Sequence, residues 1–204
     1  MSWDLVTLDL DGTLLPDDTA FAAILREVGQ GDFVAASDAR YFAGETTLEA
    51  CFWEQWERIQ ALTLADLHRG LRRAAWLPGI AEGVRRIRAT GARVCLLTDQ
   101  PSTVTDFLGR WGLTDAVCSP VTVHEGVQTA IDARFDKLAN LRRHLDAWGI
   151  DAARVCHVGN GSNDVPVWGA VGGSVAAFAP PGVARHAAVD AGRPADLGAV
   201  VDRL

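Results

Sequence analysis

The sequence is short of basic residues, and this shortage excludes one large class of partner. Its 204 residues include 19 Lys and Arg against 26 Asp and Glu, which gives a net charge of −7. A protein that binds nucleic acid places many cations against the phosphates. We therefore expect no nucleic-acid partner.

Long apolar runs are also missing from the sequence. No window approaches the roughly 18 uninterrupted apolar residues that a membrane helix needs. The first residues, MSWDLVTLDLDGTLL, lack the basic segment and the apolar stretch of a secretory signal. With 49% apolar residues, the sequence predicts a globular protein without membrane attachment, with one full core and a small added module.

Cysteine is scarce, and none of the four cysteines forms a CxxC pair. Cys95, Cys118 and Cys156 stand within apolar runs, where cysteine behaves as a small buried hydrophobe. This usage favours a reducing, cytoplasmic setting.

Short apolar runs alternate with helical patterns along most of the chain. The predicted strands, which are rich in Val and Leu, are 5–10, 94–98, 116–123, 155–158 and 174–179. The predicted helices between them are 82–90, 102–111, 137–148, 164–171 and 182–188. This alternation predicts an α/β fold, a doubly wound, Rossmann-like parallel sheet with helices on both faces.

One stretch interrupts the alternation. Residues 16–76 contain no convincing strand and four helical segments, with Thr47 and Thr63 as candidate N-caps. We predict that this stretch is a helical cap inserted after the first strand, and that residues 1–15 and 77–204 form the core. The cap should cover the carboxyl ends of the strands, where open α/β sheets bind ligands.

The first strand ends in the sequence DLDGT. Asp9 and Asp11 stand two positions apart, so their side chains project to the same side of a strand, and Gly12 lets the chain turn away at once. Two such carboxylates can hold Mg²⁺, or they can divide the work of a nucleophile and an acid–base group. The alternative interpretation is an ordinary turn after a strand, marked by Asp and Gly.

Three further polar positions fall at strand ends or helix starts. Thr98 ends the second predicted strand and can donate to a phosphate oxygen, while Lys137 opens a helix and can bind phosphate or an anionic nucleophile. The sequence GNGSND, at residues 159–164, follows the fourth strand as a loop that a ligand can approach closely. Each position alone has an ordinary explanation, but together they favour one functional site.

DLDGT, Thr98, Lys137 and GNGSND, in this order, resemble the motifs of the haloacid dehalogenase-like hydrolase superfamily. The single helical insert and the GxGxND form are similar to its phosphoserine phosphatase group. The resemblance implies that Asp9 is a nucleophile that forms an aspartyl-phosphate and that Asp11 is the general acid and base. It also implies that Thr98 and Lys137 hold the transferring phosphoryl group.

The same resemblance implies a magnesium site that includes Asp9, Asp11, Asn160 and Asp164, with Asp11 contributing its backbone carbonyl. The expected function is that of a magnesium-dependent phosphatase that hydrolyses a small-molecule phosphate monoester.

The sequence departs from the family at Asn160, where the family usually has an Asp that binds magnesium directly. An amide keeps a carbonyl oxygen but loses a full negative charge. Three interpretations remain open: a phosphatase with weaker magnesium binding, an enzyme with another reaction, and a catalytically weakened protein that binds or regulates through its phosphate site.

The substrate-binding residues depart from the family as well. Asp18 falls near the position of the acid that binds phosphoserine in the family. Trp53, however, falls at or near the position of the Arg that binds phosphoserine in the family. Asp99 replaces one of two usual glycines, and Asn163 resembles a polar contact near the substrate. Asp18, Trp53, Asp99 and Asn163 are therefore the candidate substrate-binding residues. The aromatic residues of this cap segment either line a pocket or pack its helices together.

Overall fold

The structure, a computed structural model, describes residues 3–204, apart from the side chain of residue 42. Its strands are β1 Leu5–Leu8, β2 Arg93–Pro101, β3 Ala116–Ser119, β4 Val121–His124, β5 Val127–Ile131, β6 Val155–Gly159, β7 Gly173–Ala176 and β8 Val189–Asp190. Six of them form one parallel sheet in the order β3-β2-β1-β6-β7-β8. The predicted doubly wound α/β fold is confirmed.

Helices cover the sheet, and a series of helices follows β1 directly. They are α1 Ala20–Glu27, α2 Gly31–Phe42, α3 Leu48–Ile59, α4 Leu64–Arg73, α5 Ile80–Ala89, α6 Ser102–Phe107, α7 Lys137–Trp148, α8 Val165–Trp168, α9 Pro181–Ala184 and α10 Leu197–Val201. Within residues 3–204, no helix has the length and apolar character that crossing a membrane requires.

Alternating residues of the central strands bury apolar side chains on both faces of the sheet. In β1, Val6 and Leu8 pack in one cluster with α5, while Leu5 packs in a second cluster with Leu141 and Leu145 of α7. A strand that is buried on both faces has a continuous apolar sequence, as these strands do. The same alternation turns Thr7, and after it Asp9, towards the α7 face.

The chain order of the sheet places a switch point between β1 and β6. From β1 the chain builds outward through β2 and β3, and it then returns to build β6, β7 and β8 on the other side. The loops that leave such a pair of strands diverge, which opens a crevice at their carboxyl ends. Asp9 and Asn160 follow β1 and β6, and both lie at this crevice.

Helices α1–α4 form the cap. Thr19, Thr47 and Thr63 each accept a hydrogen bond from a backbone N–H in the first turn of the helix that follows. Thr47 and Thr63 are N-caps, as predicted, and Thr63 and Asp66 also make the reciprocal bonds of a capping box. Caps of this kind satisfy N–H groups that the helix itself leaves without partners. The domain boundaries at residues 16 and 76 stay a prediction.

The prediction of one strand over residues 116–123 was wrong. Pro120 has no N–H to donate and separates β3 from β4, which turns back at Glu125 and Gly126 to pair with β5. Both turn residues have positive φ, 52° and 78°, as a two-residue hairpin turn requires. The hairpin β4–β5 contacts the cap, because Leu64 N–H donates to the Gly126 carbonyl at 3.0 Å.

We expect Gly70→Ala to destabilise the cap. A Cβ at Gly70 in α4 would lie 2.6 Å from the Cα of Ile24 in α1, so two helix backbones would have to separate. Overpacking of this kind costs about 1–3 kcal/mol of unfolding free energy. Urea denaturation of the purified variant measures this loss.

Gly182→Ala in α9 is the matched control, because a Cβ there meets no atom within 4 Å. It should leave the unfolding free energy unchanged or slightly raised. Equal stability of the two variants would contradict the close α1–α4 packing.

Candidate active site

A buried lysine stands between two carboxylates at the carboxyl end of the sheet. Nζ of Lys137 donates to Oδ1 of Asp9 at 2.6 Å and to Oδ1 of Asp164 at 2.8 Å. The three side chains are at most 5% exposed. Burial by itself would lower the pKa of Lys137, but the charges of Asp164 and Asp9 outweigh it and raise this pKa. Lys137 is therefore a fixed positive charge beside Asp9.

The local sequence explains how Lys137 reaches this place. Asp136 caps α7 by accepting a hydrogen bond from Ala139 N–H at 2.9 Å, so the helix begins at Lys137. Because α7 packs on the sheet face towards which Asp9 points, its first residue lies above the end of β1. The helix start and the alternation of β1 together bring these two residues, 128 positions apart in sequence, into contact.

Asp164 lies behind the site and does not line the cavity. Its Oδ1 accepts from Lys137 and from Nε2 of His157 at 3.0 Å, and its Oδ2 accepts from Asn160 N–H and Gly161 N–H at 2.9 Å each. A carboxylate has about four acceptor positions, and all four are occupied here. Burial raises the pKa of Asp164, but Lys137 and His157 outweigh it and hold this pKa below its usual range.

This geometry corrects one expectation about the metal. Asp164 was expected to be a magnesium ligand, but it is completely buried and its carboxylate oxygens are already bonded. It instead fixes Lys137 and the Asn160–Gly161 backbone. His157 is a completely buried histidine whose ring is hydrogen-bonded on both sides, with Nδ1 2.8 Å from the Thr7 hydroxyl.

Asp11 is held by one donor on each carboxylate oxygen. Ala20 N–H, at the start of α1, donates to Oδ1 at 2.7 Å, and Nε2 of Gln100 donates to Oδ2 at 2.5 Å. Burial raises the pKa of Asp11 to about 6, although both hydrogen bonds and the charge of Lys137 oppose the rise. Burial therefore moves the pKa of this carboxyl group towards neutral pH, which suits a group that both gives and takes a proton.

The site carries more negative than positive charge. Burial and the charge of Asp164 raise the pKa of Asp9 to about 7 against the opposing effect of Lys137, and burial raises the pKa of Asp99 to about 6. Asp9, Asp11, Asp99 and Asp164 surround a single lysine. Such a set of buried carboxylates is incompletely neutralised, and a bound cation would relieve it.

The donor set suits a hard, oxygen-seeking cation. The Thr13 hydroxyl lies 3.3 Å from Oδ2 of Asp9 and 3.4 Å from Oδ1 of Asn160, which places these two oxygens near each other. Within residues 3–204, no three His, Cys, Asp or Glu side chains are arranged to hold a metal. The Asp9 carboxylate and the Asn160 amide nevertheless offer oxygen donors of the kind that magnesium prefers.

Gly12 is required by this close approach. Its φ is +75°, and a Cβ there would lie 2.0 Å from Nδ2 of Asn160. A glycine is therefore needed both for the turn after Asp11 and for the amide that packs on it.

A cavity of about 530 Å³ lies between the cap and the ends of the strands. Asp9, Asp11, Thr98, Lys137 and Asn160 line its inner end. Of the four predicted substrate-binding residues, three also line it, namely Asp18, Asp99 and Asn163. Asn163 Nδ2 donates to Oδ2 of Asp99 at 3.1 Å. The roles of these residues stay predictions.

Trp53 is not among the residues that line this cavity. It is 37% exposed, and its ring contacts the edges of Phe52 and Phe135, which do line the cavity. Trp56 is buried and packs against Phe21, as helix-packing aromatic residues do.

Sequence reasoning missed several polar residues of the cavity, among them Arg26, Asp38 and Gln100. Arg26 pairs with Asp18 and brings a cation to the cap side, where Asp38 adds a carboxylate. Gln100 stands two positions after Thr98, and this spacing could have indicated that Gln100 lies at the site, because residues two apart in a strand share a side. Arg26 and Asp38 have no comparable signal, since their position depends on how the cap helices pack.

Comparisons with known proteins agree with this geometry. A family model of haloacid dehalogenase-like hydrolases matches residues 6–168. A phosphoserine phosphatase of Halobacterium salinarum is 29% identical over 208 residues, which cover 97% of each chain. A phosphoserine phosphatase of Streptomyces coelicolor is 29% identical over 196 residues. The alignment covers 91% of this chain and 47% of the Streptomyces protein, so this chain spans about half the length of that relative.

Solved structures are similar in fold. A phospho-aspartyl intermediate analogue of phosphoserine phosphatase superposes with a TM-score of 0.82 over the full length of both chains, at 18% identity. At this identity the likeness shows the fold alone. A protein of unknown function from Bordetella pertussis Tohama I is 25% identical, with a TM-score of 0.73 over 93% of this chain and 99% of that one.

The family match covers most of the chain, and the fold and the order of the motifs agree with it. The chain belongs to the haloacid dehalogenase-like hydrolase family, within which its sequence and fold are phosphoserine phosphatase-like.

Proposed function

We propose that this protein is a phosphoric monoester hydrolase that acts through a covalent aspartyl-phosphate on Asp9. The observation that carries the proposal is the buried carboxylate of Asp9, bonded to Lys137 at 2.6 Å and lining the same cavity as Asp11. A nucleophile and an acid–base group at one end of a cavity are the groups that such a transfer requires.

In the first step, a carboxylate oxygen of Asp9 attacks the phosphorus of the ester. The bond from phosphorus to the ester oxygen breaks, and the leaving oxygen takes the proton of the Asp11 carboxyl. Lys137 and Thr98 stabilise the charge on the phosphoryl oxygens, which is the main requirement of phosphoryl transfer.

In the second step, the Asp11 carboxylate takes a proton from water while that water attacks the phosphorus. The bond to Asp9 breaks, inorganic phosphate leaves, and both carboxyl groups return to their first state. Asp9, Asn160 and the Asp11 carbonyl would hold magnesium, which when bound supplies positive charge that favours the ionised form of Asp9.

The proposed substrate is a small phosphate ester, and the cap side of the cavity bears on its chemistry. The relatives are named phosphoserine phosphatases. Trp53 stands at or near the position where the family has its substrate-binding arginine, but Arg26 brings a guanidinium group to the cavity from a different helix. A screen should therefore include phosphoserine, phosphoethanolamine and glycerol phosphate beside an aryl phosphate.

Four free cysteines support the proposal of a reducing, cytoplasmic setting.

Asp9→Asn should abolish magnesium-dependent phosphate release from p-nitrophenyl phosphate, since an amide is too weak a nucleophile to form the covalent intermediate. A phosphate-release assay at saturating magnesium measures this. In the parent protein, beryllium fluoride with magnesium should form a stable adduct on Asp9, visible by fluorine NMR. Asp146→Asn, an exposed position on α7, is the matched control and should keep full activity. Activity that survives Asp9→Asn would exclude the aspartyl-phosphate route.

Asn160→Asp should lower the magnesium concentration needed for half-maximal activity about tenfold, if the restored charge contributes about 1.4 kcal/mol. The shape of the side chain is unchanged, so the fold should be unaffected. Magnesium titration of the phosphate-release rate gives the comparison.

Ser162→Asp adds the same charge at an exposed position of the same loop and should change the magnesium requirement much less. An unchanged requirement in Asn160→Asp would show that Asn160 is not a ligand. If the parent is inactive at every magnesium concentration and the variant is active, the protein is instead a weakened family member that binds or regulates.

The pKa values of the site predict how stability depends on pH without divalent cations. Burial raises the pKa of Asp9 to about 7 and those of Asp11 and Asp99 to about 6, against 3.8 for the unfolded chain. Above about pH 4 the folded state therefore binds more protons than the unfolded state, so these groups lower stability as the pH rises.

We expect the melting temperature of the metal-free protein to fall between pH 5 and pH 8, and we expect magnesium to raise it more at pH 8 than at pH 5. Differential scanning fluorimetry at the two pH values gives both quantities. A magnesium effect that is equal at both values would contradict a cation site among these carboxylates.

A further inference from the structure

We infer that Gln100 is a positioning residue for Asp11. Its side-chain amide holds the carboxyl group in the orientation that delivers a proton to the leaving oxygen. The inference rests on the proposed function, in which Asp11 is the general acid.

The contact between the two side chains is direct. Nε2 of Gln100 lies 2.5 Å from Oδ2 of Asp11, while Ala20 N–H lies 2.7 Å from Oδ1. One donor on each oxygen fixes both dihedral angles of a short side chain. One of these donors belongs to the cap and the other to the end of β2, so the acid is oriented by both parts of the protein.

The environment of Gln100 indicates a functional rather than a stabilising role. The residue is 5% exposed and lines the cavity, and its Oε1 is buried without a hydrogen-bond partner in the described residues. An unpaired buried carbonyl oxygen destabilises a fold, and such groups concentrate at functional sites. A leucine of similar size would avoid this destabilisation but could not bond to Asp11.

The chemistry of an amide suits a partner that changes its protonation state. In the proposed cycle Asp11 is first a carboxylic acid and then a carboxylate. Nε2 of Gln100 can donate to a carboxyl oxygen in either state, because that oxygen has more than one acceptor position. The proton of the acid therefore stays available to the leaving oxygen. The neighbouring acid, Asp99, bonds to Asn163 and does not duplicate this contact.

Two substrates of similar shape test the inference. A p-nitrophenolate leaves without a proton, whereas the alkoxide released from benzyl phosphate needs one. The value of kcat/KM reports the steps up to the first phosphoryl transfer. We expect Gln100→Leu to lower kcat/KM about tenfold for benzyl phosphate and less than about threefold for p-nitrophenyl phosphate, since general acid catalysis contributes 10²–10⁴-fold when it is fully in place.

A second variant and a double-mutant cycle complete the test. Gln100→Glu keeps the shape of the side chain and loses its amide donor, so it should show the same selectivity between the substrates. In an Asp11→Asn background, Gln100→Leu should have no further effect, because a positioning residue acts only through its partner. Melting temperatures establish that each variant is folded.

An equal loss on both substrates, or a further loss in the Asp11→Asn background, would overturn the inference in favour of a structural role. Full activity of both Gln100 variants would overturn it as well. If Asp11→Asn itself shows no selectivity between the substrates, the assignment of the acid has failed and the inference falls with it. The Asp9→Asn experiment is independent of this result, so the two failures can be distinguished.

Discussion

The arrangement of the site depends on one buried ammonium group. Lys137 can be almost completely buried only because Asp9 and Asp164 neutralise it at 2.6 and 2.8 Å. Removing one partner of such a buried set leaves an uncompensated charge, which is far more costly than any exposed ion pair. This constraint links the start of α7, the end of β1 and the loop after β6. The carboxylate at the end of β1 is thereby held in one place.

The two acids of the first motif have the same side chain but different environments. Asp9 faces a lysine and a second carboxylate, whereas Asp11 faces two N–H donors, one of them from the cap. In the proposed function, these environments separate a fixed nucleophile from a group that exchanges a proton. The cap would then contribute to the acid itself, because Ala20 at the start of α1 donates to Asp11. The β4–β5 hairpin also contacts the start of α4, through the hydrogen bond from Leu64 N–H to the Gly126 carbonyl and the bridge between Thr63 and Val127.

Asn160 shows how one atom changes the electrostatics of a site without changing its shape. Its backbone N–H bonds to Asp164, and its side chain packs against Gly12, as a carboxylate of the same size would. If Asn160 is a ligand, as proposed, the shell around a cation has one unit of negative charge less than with an aspartate, while the excess of buried carboxylates around Lys137 remains. The net effect on cation binding is set by these two opposing contributions.

The sequence by itself determined most of the alternation of strands and helices, the cap after the first strand and the motif residues Asp9, Asp11, Thr98 and Lys137. These features are local, because they follow from periodicity, turns and the ends of elements. The sequence did not predict β5, β8 or α10. Only the tertiary structure decided which side chains meet. The hairpin after Pro120, the approach of Arg26 to Asp18, the exclusion of Trp53 from the cavity and the four bonds of Asp164 each depend on contacts between distant segments. A one-dimensional pattern records which side of an element a residue occupies, but it does not record what packs against that side.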